Sequence, residues 1–150
     1  MGMRRKGREI AVQTLYSLEY LGSVIDQKEP DFIEHFPDKL LEITASREIQ
    51  SESKIYEFAH EILENLLNNL KGIDQKIQQH SLNWSMDRIA KLDKCILRIA
   101  TYEMLFTETA PAVIMNEAIE ISKKFCSESS GKFINGILNS IAEESREIKR

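Results

Sequence analysis

The sequence predicts an all-α fold of about seven helices, and three observations predict it. Apolar residues return at alternating three- and four-residue steps in one segment after another, the spacing of a buried helical face. No run alternates apolar and polar residues with period two between turn residues, so no strand is expected. The breaks between periodic segments are short, as connections in a helical globule are. With 150 residues, 42% hydrophobic and 29% charged, the chain can bury one respectable core, and a single domain over residues 1–150 is expected.

The first helix starts in a basic cluster, Arg4, Arg5, Lys6 and Arg8, and continues through Ala11, Leu15 and Leu18 at helical spacing, with Gly22 as its expected stop. At about 100° per residue, Arg5, Glu9, Gln13 and Tyr16 fall on one face with Arg8 beside them, away from the apolar stripe. Guanidinium forks pair with phosphates, amides read base edges and an aromatic ring stacks a base. The face therefore has the chemistry of a single-stranded nucleic-acid surface. Positive charges at a helix N-terminus oppose the macrodipole by roughly 0.3 kcal/mol or more, so helix stability alone does not place them there. A competing reading packs Tyr16 on a neighbouring helix and leaves Gln13 merely solvated.

From Ser23 to Gln50, Phe32, Ile33, Phe36, Leu40 and Leu41 suggest helix, but Pro37 falls inside the pattern and predicts a break: two short helices or one interrupted one. Ser51 is the expected cap of a clearer helix lined by Ile55, Phe58, Ala59, Ile62, Leu63, Leu66 and Leu70, ending at Gly72. A short helix with Ile73 and Ile77 follows. Ser85 is then expected to cap a central helix from Asp87 to Phe106, with Trp84 plugging its entrance.

That central helix carries two apolar stripes, one of Ile89, Leu92, Ile96, Ile99 and Phe106 and one of Ala90, Leu97 and Met104, so it requires packing partners on two sides. Arg98 and Glu103 interrupt it and are expected to pair with groups on other elements or to reach a surface. Its expected task is to hold the first helix and the final pair. Pro111 opens the next helix, with Ile114, Ala118, Ile121 and Phe125 as its buried stripe and the Ser127 to Gly131 stretch closing it. The last helix uses Ile134, Ile137, Leu138 and Ile141, then is expected to fray from Glu143 to Arg150.

Composition narrows the function classes. No apolar run approaches the roughly 18 residues that cross a bilayer, and the charged start lacks a following signal-type apolar block, so cytoplasmic residence without membrane contact is expected. Cys95 and Cys126 lack CxxC spacing and are read as reduced core thiols. The net charge of −4 is unevenly spread, with cations at the start and acids crowding from Asp26 to Glu64. A polyanion could approach one end and be repelled from another; the alternative is an unspecific basic tail on an acidic protein.

Catalytic machinery is not expected. His60-Glu61-Ile62-Leu63-Glu64 lacks the second histidine of a zinc-protease helix, and His35 and His80 have no metal-ligand spacing. With no GxGxxG, phosphate loop or GxSxG, no cofactor, metal or catalytic residue is assigned.

Three passages, taken together and in this order, carry a resemblance: RRKGREIAVQTLY from Arg4 to Tyr16, KLDKCILRIATYEM from Lys91 to Met104, and PAVIMNEAIEISKKF from Pro111 to Phe125 followed by SSGKFINGIL from Ser129 to Leu138. They resemble the N-utilisation substance B (NusB) family of bacterial transcription antitermination factors. The resemblance covers the first helix and everything from about Trp84 onward, whereas residues 23 to 80 match only in helical character.

It implies an all-helical fold of two small bundles and binding of the boxA element of nascent ribosomal RNA. It also implies a partner, the small-subunit ribosomal protein NusE, and assembly on RNA polymerase. Carried over by position, Arg4, Arg5, Lys6 and Arg8 become the arginine-rich motif, Gln13 and Tyr16 continue the RNA face, and Ser129, Ser130, Lys132 and Phe133 form a second RNA-contacting patch. The sequence departs from the family at two places: Cys126 stands where relatives usually carry glycine, and Ser129 where an acidic residue is frequent. Two rival readings are weighed, and the second is discounted. One is a helical protein-interaction module, with a homodimer among its forms, whose basic start serves solubility or docking. The other is an enzyme, since this domain type also occurs attached to RNA-cytosine methyltransferases, but these residues contain no methyl-donor glycine-rich loop.

Overall fold

Among the described residues, seven α-helices and one short 3-10 turn make up the regular structure and there is no strand. The computed structural model describes residues 2–24, 31–82 and 85–149. Its chain divides into two compact units, Met1–Asn68 and Asn69–Arg150.

In the first unit α1 (Met3–Val24) packs against α2 (Phe32–Ser46) and α3 (Lys54–Asn68). Ile10, Ala11, Val12, Leu15 and Leu18 of α1 are all buried, as their spacing requires. The helix does not stop at Gly22 but runs on to Val24. Among the described residues no glycine takes a positive φ, and Gly22 lies inside the helix rather than ending it as a left-handed terminator.

α2 likewise continues through Pro37. Proline removes one intrahelical hydrogen bond, yet it sits only six residues into the helix, and the buried Phe36 and Leu40 hold the turns on either side of it. Asp31 caps this helix by accepting from the Glu34 amide at 3.2 Å.

α3 starts two residues later than Ser51 predicts, because Ser53 Oγ takes the Tyr56 amide at 3.2 Å. It ends at Asn68, where Asn69 leaves helical geometry, so Leu70 and Gly72 belong to the next helix.

In the second unit α4 (Leu70–His80) buries Ile73 and Ile77, a 3-10 turn spans Met86–Arg88, and α5 (Lys91–Phe106), α6 (Pro111–Phe125) and α7 (Glu128–Lys149) follow. Ser85 precedes the 3-10 turn and makes no side-chain cap bond. The central helix therefore begins at Lys91, after Ile89 and Ala90 adopt extended backbone. Trp84 lies outside the described residues.

Every residue of α5 from Cys95 to Met104 is buried, and α4, α6 and α7 pack against it. The predicted stripes fail at their ends: Ala90 is exposed, Leu92 half-buried, and Phe106 is 52% exposed on the last turn, stacked on Tyr102. Arg98 pairs as expected, donating from Nε and Nη2 to the two oxygens of Asp74 on α4, both at 2.8 Å. Glu103 is buried.

Pro111 occupies the first position of α6, where its missing N–H costs nothing, and Ile114, Ala118 and Ile121 face the core. The serine stretch opens α7 rather than closing α6: Ser127 Oγ accepts the Ser130 amide at 3.3 Å. Gly131 lets the two helices approach, since a Cβ there would lie 3.3 Å from Ser122 Oγ.

α7 stays helical to Lys149 instead of fraying from Glu143. A cross-brace holds this stretch: His80 meets Ser140 Oγ at 2.6 Å and Glu144 at 2.5 Å, and Lys76 reaches the other Glu144 oxygen at 3.0 Å. The hydrogen bonds to His80 and then Lys76 hold the Glu144 carboxyl below its usual range. Among the described residues no helix is long and apolar enough to cross a membrane.

Candidate nucleic-acid interface

The basic start of α1 is built on one aromatic ring. Arg4 and Arg8 lie one turn apart, and both guanidinium carbons sit over Phe58 of α3, 5.7 and 5.4 Å from its centroid. Gly7, between them, is where α3 comes closest: a Cβ at that position would stand 2.9 Å from Phe58 Cδ1 and 3.4 Å from the Ile55 carbonyl oxygen. The consequences differ for the four cations. Arg4 is exposed, Arg5 and Lys6 are half-buried, and Arg8 is buried at 4% exposure. Arg8 lies inside the wall that supports this turn, while Arg4 is exposed and Arg5 and Lys6 keep part of their surface in solvent.

One turn on, Gln13 is held from a distant part of the chain. Arg47, the C-cap of α2, donates to Gln13 Oε1 at 3.0 Å and approaches the buried Glu9 carboxylate at 3.7 Å. The end of α2 is closed by Glu48 at φ 57°, with the Ile49 amide returning to the Thr44 carbonyl at 2.8 Å. With its carbonyl oxygen so engaged, the half-buried Gln13 keeps an amide NH2 with which to donate. Glu9, which local spacing put on the same face, is 2% exposed and neutralised from within by Arg47, so it does not repel an approaching phosphate as a surface carboxylate would.

Tyr16 is 36% exposed and does not disappear into the core. Its ring meets Tyr20 edge to face, centroids 5.6 Å apart. Sequence reasoning missed both Tyr20 and Arg47. Tyr20 could have been found from its four-residue spacing to Tyr16. Arg47 could not, because its partner is 34 residues away in the chain.

The second patch opens α7. Ser129 and Lys132 are exposed, and Ser130 and Phe133 are half-buried. Ser127 Oγ gathers the hydroxyls of Ser129 at 2.9 Å and Ser130 at 3.3 Å. Beside this turn, α6 and α7 enclose a cavity of about 410 Å3 whose lining includes Ile119, Lys123, Cys126 and Lys132. Cys126 is thus half-buried in a cavity wall, unlike the fully buried Cys95. Burial, with the charge of Asp93 and a hydrogen bond to it, pushes the Cys126 thiol up to about 12, which keeps it protonated and unreactive.

Comparison with known proteins gives this arrangement a context. The NusB family model matches residues 5–143. A Geotalea daltonii protein described as transcription antitermination protein NusB is 41% identical over 145 residues, which is 95% of this chain and 95% of that one. Among solved structures, T. maritima NusB is 32% identical with a TM-score of 0.77, covering 96% of each chain. A complex of the antitermination factors NusB and NusE with double-stranded RNA contains a chain of the same fold, 23% identical with a TM-score of 0.80, covering 96% of this chain and 98% of that one.

Proposed function

The chain belongs to the NusB family, and from that premise we propose that it is a transcription antitermination factor which binds boxA-type single-stranded RNA of nascent rRNA transcripts together with ribosomal protein NusE. In this role it helps assemble the antitermination complex on RNA polymerase. It works in the cytoplasm by binding, with no catalytic residue, metal or cofactor of its own. The observation that carries the proposal is the face of α1, where solvent-reaching cations and an exposed tyrosine follow one another on one helix, from Arg5 onward within the family-matched span.

Arg4, Arg5 and Lys6 supply phosphate contacts and with them the salt-sensitive part of the affinity. Arg8 acts from beneath, keeping the first turn pressed on Phe58. Gln13 and Tyr16 contact bases, the first with an amide oriented by Arg47, the second by stacking. Ser129, Ser130, Lys132 and Phe133 form a second contact patch, in which Lys132 adds charge and Phe133 an aromatic surface.

Titrating boxA RNA and a scrambled RNA of equal length into the protein, with and without NusE, tests this. Preferential binding of boxA, strengthened by NusE, is expected. Equal, weak binding of both RNAs in the presence of NusE would contradict it.

A further inference from the structure

We infer that Tyr20 and Tyr16 together form a two-ring notch that holds one base of the bound RNA, extending the base-contacting face of α1 a full turn beyond Tyr16. This inference rests on the RNA-binding reading above. Tyr20 is 56% exposed, more than Tyr16, although a tyrosine ring carries enough apolar surface that burial would be favourable. The two ring planes meet at 65°, so neither ring covers the other's face. A flat base can stack on one face while its edge meets the second ring, the edge-to-face contact that aromatic groups favour.

Position on the helix identifies the occupant as RNA. At about 100° per residue, Arg5, Tyr16, Tyr20, Gln13 and Lys6 share an arc of about 100° on α1. Tyr20 lies near the middle of that arc. Glu9 falls on the same arc but is 2% exposed and faces Arg47, and Glu19, the nearest acid in sequence, is turned about 100° from Tyr20 and about 60° from Tyr16. The notch is therefore continuous with the cationic face, whose first turn contains no acidic residue. It lies about 16 to 22 Å along the axis from Arg5, so cations and rings serve different nucleotides of one strand: phosphates at the start, a base at the end.

The test uses the protein in complex with NusE and boxA RNA carrying 2-aminopurine at successive adenines, whose fluorescence is quenched by stacking. Tyr20→Leu keeps apolar bulk and removes the ring. It is expected to weaken RNA binding about tenfold, to relieve the quench at one position and to leave the salt dependence unchanged, and Tyr20→Phe should restore the quench. Wild-type affinity and quench in Tyr20→Leu, while Arg5→Gln still weakens binding, would overturn the notch and leave the RNA-binding reading standing. If Arg5→Gln also binds as wild type, that reading falls too. Loss of NusE pairing by Tyr20→Leu in the absence of RNA would overturn the notch by assigning the ring to a protein contact.

Discussion

Asp74→Ala is expected to destabilise the protein by about 3 kcal/mol and to lower its thermal midpoint by about 9 °C. The reason lies in the asymmetry between making and breaking a buried ion pair. Arg98 sits in the middle of α5 with its side chain 8% exposed, and its fork donates to both oxygens of Asp74. Removing the carboxylate leaves a guanidinium that cannot deprotonate and is shielded from water. Asp74 itself is 25% exposed, which lets some water reach the vacated site and sets the expectation at the lower end of the range for broken buried pairs. Asp74→Asn, which keeps the shape and one acceptor, should cost less. Arg98→Met combined with Asp74→Leu should cost less than Asp74→Ala, because neither member of the pair is then left buried without the other. Urea unfolding of the three variants checks the order, and a loss below about 1 kcal/mol for Asp74→Ala would show that the pair is not what ties α4 to α5.

Gly7→Leu is the second large effect. Leucine is a far better helix former than glycine, and on α1 alone the change would be worth roughly 1 kcal/mol of stabilisation. The structure reverses the sign. Even a Cβ would stand 2.9 Å from Phe58 Cδ1, and the Ile55 carbonyl behind it belongs to the α3 backbone and cannot rotate away. A whole leucine side chain must part α1 from α3 or expel the Phe58 ring, at about 2 kcal/mol net. Both outcomes remove the platform under Arg4 and Arg8, so RNA affinity should fall at temperatures where the protein is still folded. Phe58→Ala in the same chain opens the space, and the double variant should lose less stability than the two single losses combined. Additive losses would place the strain elsewhere.

How far the fold could be read in advance follows from which forces act locally. Helices were legible wherever apolar spacing alone decides them, as in α3, α5 and the Ile134 to Ile141 stripe of α7. Their ends were not, because several residues of one type competed for the cap. Ser53 displaced Ser51, and the extended Ile89 and Ala90 moved the start of α5 to Lys91. Pro37 and the glycines at 22 and 72 read as breaks, yet each lies inside a helix.

At the interface the chemistry of α1 was legible as a face, since 100° per residue needs no partner to be known. Depth was not. Arg8 looked as outward as Arg5 until the gap at Gly7 let Phe58 rise beside it. The clamp of Arg47 on Glu9 and Gln13 comes from the end of another helix, and no local pattern announces it.

The central claim is that the cations of α1 bind RNA phosphates and do not serve the protein partner. Measuring the salt dependence of boxA RNA affinity for wild type and for the triple variant Arg4→Gln, Arg5→Gln, Lys6→Gln, each with NusE bound, tests it most directly. Loss of three single-strand phosphate contacts should reduce the slope of log affinity against log salt by about 2 and weaken RNA binding, while NusE pairing is retained. An unchanged slope with unchanged RNA affinity, or loss of NusE pairing in its place, would contradict the account.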